Sequence, residues 1–340
     1  MTDILKPLVK RLADGETLSR DEVETCFDII LEGNASPAQM AAFMTALKMR
    51  GETPDDIAAG ASVLRRRAIT ISAPDTAMDI VGTGGDGIGT WNISTAAAFV
   101  LAGCGVPVAK HGNRAVSSKS GAADVLLSLG INLDCDMALV QKALDTAKVA
   151  FLMAPRHHSA MRHVGPIRAE LGYRTIFNML GPLSNPALVR RILVGVFDRK
   201  WIRPFAEALA NLGTTHALVV HGSDGLDEVT TTGPTHAALL KDGAIEEMTI
   251  SPEDIGIADA DPAALIGGTP DENAAALRQV LENKGGAYQD IVILNAAAAL
   301  MGGGHAASLR EGAERARAAI SDGHALAALD ALVAITNGEA

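Results

Sequence analysis

The chain has 340 residues, 48% apolar and 20% charged, enough for one large domain or two of moderate size. Lys plus Arg number 29 against 40 Asp plus Glu, a net charge of −11, which argues against a general nucleic-acid or membrane-surface partner but leaves room for a local basic pocket. Cys26, Cys104 and Cys135 are odd in number, form no Cys-x-x-Cys pair and sit among apolar or small residues, so they read as buried thiols and not as disulfides or zinc ligands.

In chain order, Met1–Glu16 mixes both charges with no long apolar run, so no signal peptide is expected. The first seventy or so residues read as helices. Ser19 with Glu22 forms a capping box, and Gly33 stops that helix. Ser36-Pro37 opens the next, which runs to Gly51, and Thr53-Pro54-Asp55-Asp56 opens a third with acids at its positive end. We expect a helical domain over 1–72, serving as a dimer interface, with a helical segment near 165–187 packing beside it. From Met78 the pattern changes. Short apolar runs at Met78–Val81, Val106–Ala109, Val149–Leu152, Ile192–Val196, Ala217–His221 and Ala237–Leu240 alternate with helical stretches at Ile93–Ala102, Ala138–Ala147 and Lys200–Leu212. This alternation predicts an α/β domain over 73–340 with a mostly parallel central sheet. From Glu272 the chain returns to Ala- and Leu-rich helices, and Gly302–Gly304 reads as a turn. The longest apolar stretch, Thr95–Ala109, is too short to span a bilayer, and a soluble cytoplasmic protein is expected.

Four segments carry chemistry. Asp79-Ile-Val-Gly-Thr-Gly-Gly-Asp-Gly-Ile-Gly-Thr-Trp-Asn-Ile-Ser-Thr95 ends a strand, forms a glycine loop and opens a helix that Asn92 can cap. Glycines let backbone N–H groups approach an anion, and the helix start adds positive potential. Gly82, Gly84 and Gly87 fit the dinucleotide spacing, but Gly87–Ala123 holds no Asp or Glu to take a ribose, and no Lys precedes Thr90 as a Walker loop requires. The second segment, Lys110-His-Gly-Asn-Arg-Ala-Val-Ser-Ser-Lys-Ser-Gly121, follows a strand. Its Lys110, His111, Arg114 and Lys119 make a basic pocket at the carboxyl edge of the sheet. The third, His221-Gly-Ser-Asp-Gly-Leu-Asp-Glu228, offers the adjacent carboxylates Asp227 and Glu228. Magnesium held with a phosphorylated substrate uses one or two such groups and several waters. The fourth, Phe151–Arg168, carries His157, His158, His163, Arg156, Arg162 and Arg168. Its spacing and lack of carboxylates favour contacts to an aromatic ligand and its carboxylate over a metal site.

Together these segments, with Lys110–Gly130 and Arg174-Thr-Ile-Phe-Asn-Met-Leu-Gly-Pro-Leu-Ser-Asn-Pro186, resemble the anthranilate phosphoribosyltransferases over nearly the whole chain. The resemblance implies a nucleoside phosphorylase/phosphoribosyltransferase-type fold, the second step of tryptophan biosynthesis from chorismate, and a homodimer joined through the helical domain. By matching position it implies a phosphoribosyl pyrophosphate site of Gly82, Gly85, Asp86, Thr90, Asn92, Ile93, Ser94, Thr95, Lys110, His111, Gly112, Asn113, Arg114, Ala115, Val116, Ser117, Ser118 and Ala122. Gly82, Asn113, His158 and Arg168 would meet anthranilate. Ser94, Asp227 and Glu228 would bind two magnesium ions (Mg2+). No covalent nucleophile is apparent, and His111 is the candidate proton acceptor. Relatives often carry Ser where Ala122 stands, so a hydroxyl contact to diphosphate is lost. A pyrimidine nucleoside phosphorylase would carry Lys-His-Ser-Gly-Arg in place of Lys110-His-Gly-Asn-Arg114. A non-catalytic nucleic-acid-binding relative would need a basic surface and would tolerate loss of Asp227 and Glu228.

Overall fold

The computed structural model describes residues 4–114 and 119–339. Four helices open the chain: α1 (Leu5–Ala13), α2 (Arg20–Leu31), α3 (Pro37–Arg50) and α4 (Pro54–Arg67). Their ends follow local chemistry. Ser19 accepts from the Glu22 N–H at 3.4 Å while the Glu22 carboxylate accepts from the Ser19 N–H at 2.8 Å, and Ser36/Gln39 and Thr53/Asp56 repeat the exchange.

The rest of the chain builds one seven-stranded sheet in the order β3-β2-β1-β4-β5-β6-β7. The strands are β1 (Met78–Gly82), β2 (Val108–Gly112), β3 (Val149–Met153), β4 (Arg191–Gly195), β5 (His216–Gly222), β6 (Thr235–Lys241) and β7 (Ala244–Ile250). The first five run parallel, and β6 and β7 close the edge antiparallel. Between and after them lie α5 (Ile93–Gly103), α6 (Ala122–Ser128), α7 (Met137–Thr146), α8 (Ala154–His157), α9 (Gly165–Leu171), α10 (Phe177–Leu183), α11 (Ile202–Asn211), α12 (Pro270–Leu281), α13 (Ala287–Gly302), α14 (Leu309–Ser321) and α15 (His324–Thr336). Among the described residues no single helix is long and apolar enough to cross a membrane.

Three local readings shift. β2 begins at Val108 rather than Val106, because Pro107 has no N–H for a ladder, and it extends to Gly112, so Lys110 and His111 lie in the sheet and not in the loop after it. The stretch from Lys200 starts as a 3-10 turn over Arg199–Trp201 before α11. β7 was not anticipated. Its Glu246 and Glu247 hide the period of an edge strand, although Asp242 and Gly243, with φ of 49° and 85°, mark the hairpin that leads into it.

Strand alternation assigns the two sheet faces to two cores. Leu193, Leu218 and Val220 face α5 and the C-terminal helices α12–α15. Ile192, Val194, Ala217 and Val219 pack into a second core shared by α1–α4, α10 and α11. Phe27 is fully buried there, edge-on to Phe43 and Phe177 at 5.4 Å each, so one ring touches both α3 and α10. The Arg65 guanidinium adds a polar tie, donating to the carbonyl oxygens of Leu183 at 2.7 Å and Leu212 at 3.4 Å. Phe27→Ala should therefore cost about 3–5 kcal/mol in urea unfolding. A loss under about 1 kcal/mol would mean that the helices pack on the sheet without this ring.

Candidate active site

The strand order reverses between β1 and β4: the chain proceeds from β1 to β2 and β3 on one side, then returns to the other. In open α/β sheets the crevice at the carboxyl ends of such a pair is where ligands bind. Here the pair ends in Gly82 opposite Gly195. Both must be glycine for a steric reason. A Cβ at Gly82 would come within 2.5 Å of the Asp227 carboxylate, and one at Gly195 would collide with the Asp227 backbone. Asp227 and Glu228 thus lie against the crevice itself.

Backbone donors hold them there. The Gly84 N–H donates to Asp227 Oδ2 at 2.6 Å, and the Ser94 N–H, in the first turn of α5, donates to Glu228 Oε1 at 3.2 Å. The glycine loop and the positive end of α5 therefore attract carboxylates as they would phosphates. Both acids are buried, and Glu228 Oε2 has no hydrogen-bond partner among the described residues. Burial first, then neighbouring acids, pushes both well above the ordinary carboxylate range: Asp86 acts on Asp227, and Asp227 on Glu228.

Lys110 is equally buried. Its Nζ donates to the Ile80 carbonyl at 2.5 Å and to Ser94 Oγ at 3.2 Å; burial lowers its pKa, while Asp79, Glu228 and Asp227 oppose the drop. Asp79 accepts from the His111 N–H at 3.3 Å and from Asn185 Nδ2 at 2.8 Å, which fixes β2 against β1. His111 Nδ1 meets the Gly181 carbonyl at 3.0 Å, Nε2 is buried without a partner among the described residues, and the ring stands edge-on to His158 at 5.1 Å. Burial pushes His111 down to about 3 and His158 to about 4.

The remaining predicted residues scatter more. Thr90 bridges to Ile266, Ile93 and Thr95 are buried at the start of α5, and Asp86 Oδ1 accepts from the Ile88 N–H at 3.3 Å. Asn113 and Arg114 are exposed beyond β2, and Ala122 opens α6. Ala115, Val116, Ser117 and Ser118 lie outside the described residues. Arg168 is half-buried in α9, its guanidinium 6.0 Å from the centre of the Phe177 ring, with no acid paired to it among the described residues. His163 sits against Gly33 of the helical bundle, apart from His158. Cys104 is only half-buried, its Sγ directed at the Arg315 carbonyl at 3.5 Å, so of the three thiols it departs from the expected burial.

Sequence reasoning assigned no role to Arg174. It lies over the Phe197 ring at 4.0 Å and donates to the carbonyls of Gly84 and Gly85, pinning the glycine loop. Asn92 was expected to cap α5. Its side chain makes no capping bond and is engaged with Ser120 and Asn273 instead.

Two family models divide this chain: a glycosyl transferase family helical bundle domain over residues 6–68 and a glycosyl transferase family a/b domain over 74–326. The anthranilate phosphoribosyltransferase of Azospirillum brasilense is 58% identical over 337 residues, 99% of this chain and 94% of that one. That of Parvibaculum lavamentivorans is 56% identical over 339 residues, covering 100% and 99%. The chain belongs to the anthranilate phosphoribosyltransferase family. Solved members superpose closely. The enzyme of Thermus thermophilus is 42% identical with a TM-score of 0.92, covering 97% of this chain and 99% of its own. The Saccharomyces cerevisiae enzyme in complex with PRPP and Mg is 28% identical with a TM-score of 0.90, covering 99% of each.

The donor set of this family member suits a hard cation. Two buried carboxylates crowd together, and one oxygen is unsatisfied. Magnesium carried in with phosphates and water needs only one or two protein carboxylates of this kind. The raised pKa values also set a pH dependence. The folded protein holds protons on Asp227 and Glu228 that the unfolded chain releases in the ordinary carboxylate range, so metal-free stability falls as pH rises above that range. Asp227→Asn with Glu228→Gln removes the crowded charges. In chelator at about pH 8 this variant should be more stable to urea than wild type by on the order of 1–3 kcal/mol, with the gap closing toward about pH 5. Equal stability at both values would show that the pair is solvated.

Proposed function

We infer that this chain transfers the phosphoribosyl group of phosphoribosyl pyrophosphate to the amine of anthranilate, giving N-(5-phosphoribosyl)anthranilate and pyrophosphate, the second step from chorismate to tryptophan. The observation that carries the reading is the seating of Asp227 and Glu228 on the N–H groups of Gly84 and Ser94 at the switch point. One crevice thereby brings carboxylates, for the cation a polyphosphate carries, against a glycine loop and helix start whose other N–H groups suit the polyphosphate itself.

Gly82, Gly85, Asp86, Thr90, Asn92, Ile93, Ser94 and Thr95 would hold phosphoribosyl pyrophosphate from the glycine-loop side. Lys110, His111, Gly112, Asn113, Arg114, Ala115, Val116, Ser117, Ser118 and the backbone of Ala122 would hold it from the β2 side. Ser94, Asp227 and Glu228 would hold magnesium, two ions per subunit, which supplies charge neutralisation for the departing pyrophosphate. The C1–O bond breaks with its electron pair leaving on pyrophosphate, and the amine nitrogen forms the new bond to C1. Gly82, Asn113, His158 and Arg168 would orient anthranilate for that attack. His111 would take the amine proton. The Gly181 carbonyl can only accept, so Nδ1 carries the proton and Nε2 keeps its lone pair; burial keeps the ring neutral and, by lowering its pKa to about 3, makes it a weak base.

We further propose domains over 1–72 and 73–340 and a homodimer joined through the helical domain. Met49 at 83% exposure and Tyr173, hydrogen-bonded to Thr45 at 2.6 Å, support this as apolar surface on the helical end. Free Cys26, Cys104 and Cys135 support a reducing, cytoplasmic setting.

Purified protein with magnesium should consume anthranilate, read as loss of its fluorescence, only when phosphoribosyl pyrophosphate is present. Phosphorolysis of thymidine or uridine without anthranilate turnover would move the assignment to a pyrimidine nucleoside phosphorylase. Arg168 tests the acceptor end. A charge-assisted bond contributes about 1.5–3 kcal/mol, so Arg168→Ala should raise KM for anthranilate roughly ten- to 150-fold and leave that for phosphoribosyl pyrophosphate nearly unchanged. Equal loss of both substrates would make Arg168 part of the scaffold.

A further inference from the structure

The glycine loop is held from outside by the segment before α12. The Gly267 N–H donates to the Gly89 carbonyl at 2.9 Å, and the Trp91 N–H to the Leu265 carbonyl at 3.0 Å. Beneath these backbone bonds runs a chain of side-chain amides. The Gly268 N–H donates to Asn273 Oδ1 at 2.7 Å, Asn273 Nδ2 donates to Asn92 Oδ1 at 2.8 Å, and Asn92 Nδ2 donates to the Ser120 carbonyl at 3.3 Å. Asn273 is 1% exposed, so its side chain is shielded from water, while Asn92 is half-buried.

The direction of this chain is fixed at both ends. A backbone N–H can only donate, and a backbone carbonyl can only accept. With Gly268 holding Asn273 Oδ1, the Asn273 Nδ2 must point at Asn92. Asn92 must then present Oδ1 to Asn273 and Nδ2 to Ser120. Neither amide can flip without setting like against like at a buried contact. Asn92 opens α5 beside Ser94, and Ser120 ends the segment that follows β2. One relay thus joins the two sides of the crevice to α12.

We propose that Asn273 is a positioning residue for phosphoribosyl pyrophosphate: acting through Asn92, it sets the spacing between the glycine loop and the segment around Ser120. The proposal rests on Asn92 being a ligand of that substrate, as read above. Asn273→Asp is nearly isosteric, but its carboxylate opposes Asn92 Oδ1 and reverses the amide. Asn273→Ala removes the link without adding charge. Ser128→Ala is the control, because Ser128 Oγ ties α6 to Asp271 of the same helix as Asn273, at 2.6 Å, outside the relay.

Steady-state kinetics with both substrates varied, and amide hydrogen exchange of Thr90–Ile93 and Ser120 in the unliganded protein, test it. Asn273→Ala should raise KM for phosphoribosyl pyrophosphate roughly three- to tenfold, and Asn273→Asp about tenfold or more, with KM for anthranilate unchanged. Exchange at those amides should quicken in both variants and stay at the wild-type rate in Ser128→Ala. Unchanged KM in an active enzyme, or an equal rise in Ser128→Ala, overturns the role of Asn273. Quickened exchange in a protein whose wild type does not turn over phosphoribosyl pyrophosphate overturns the substrate reading and leaves the relay standing. Unchanged exchange overturns the relay.

Discussion

The structure depends on accommodating two adjacent carboxylates where a parallel sheet reverses its strand order. Asp227 and Glu228 are buried, raised in pKa by that burial, and held by the N–H groups of Gly84 and Ser94. An uncompensated pair of this kind is costly, and the surroundings show how the fold tolerates it. Gly82 and Gly195 give up side chains so that Asp227 can approach, Lys110 brings a buried ammonium close, and the first turn of α5 points its N–H groups inward. What makes the crevice unfavourable when empty makes it receptive to a cation and an anion arriving together.

A second buried acid organises the layer below. Asp79 ends no loop and faces no solvent. It sits within β1, pushed up to about 6 by burial and drawn back by Lys110. Asn185 bridges it to the Ala109 carbonyl at 2.7 Å and accepts from the Ala187 N–H at 2.8 Å, so the turn after α10 is tied to β1 and β2 at once. This network sets the height of Lys110 and His111, and therefore which of their atoms reach the crevice. The two cores act in the same direction, each clamping one sheet face so that loop positions above the sheet are inherited from rigid strands.

Much of the fold was legible because it rests on local rules. Ser19, Ser36 and Thr53 announce helix starts by chemistry confined to four residues, and the apolar runs of β1, β3, β4 and β5 are recognisable because strands buried on both faces need no polar alternation. β7 escaped because an edge strand exposes one face and protects itself with Glu246 and Glu247. Arg174 escaped because nothing in its neighbours in the chain points to the ring of Phe197 or to the carbonyls of Gly84 and Gly85, which only folding brings near.

Asn92 shows the division most clearly. The sequence by itself determined that a glycine loop would open a helix there, that the Asp227-Glu228 pair would follow a strand, and that the set belonged to one kind of phosphate chemistry, because these depend on residue type and order. Only the tertiary structure decided what the Asn92 amide does. No capping bond forms; the half-buried Asn92 amide lies beside Asn273 and Ser120, which supply partners of fixed polarity, and it adopts the arrangement that satisfies both its oxygen and its nitrogen.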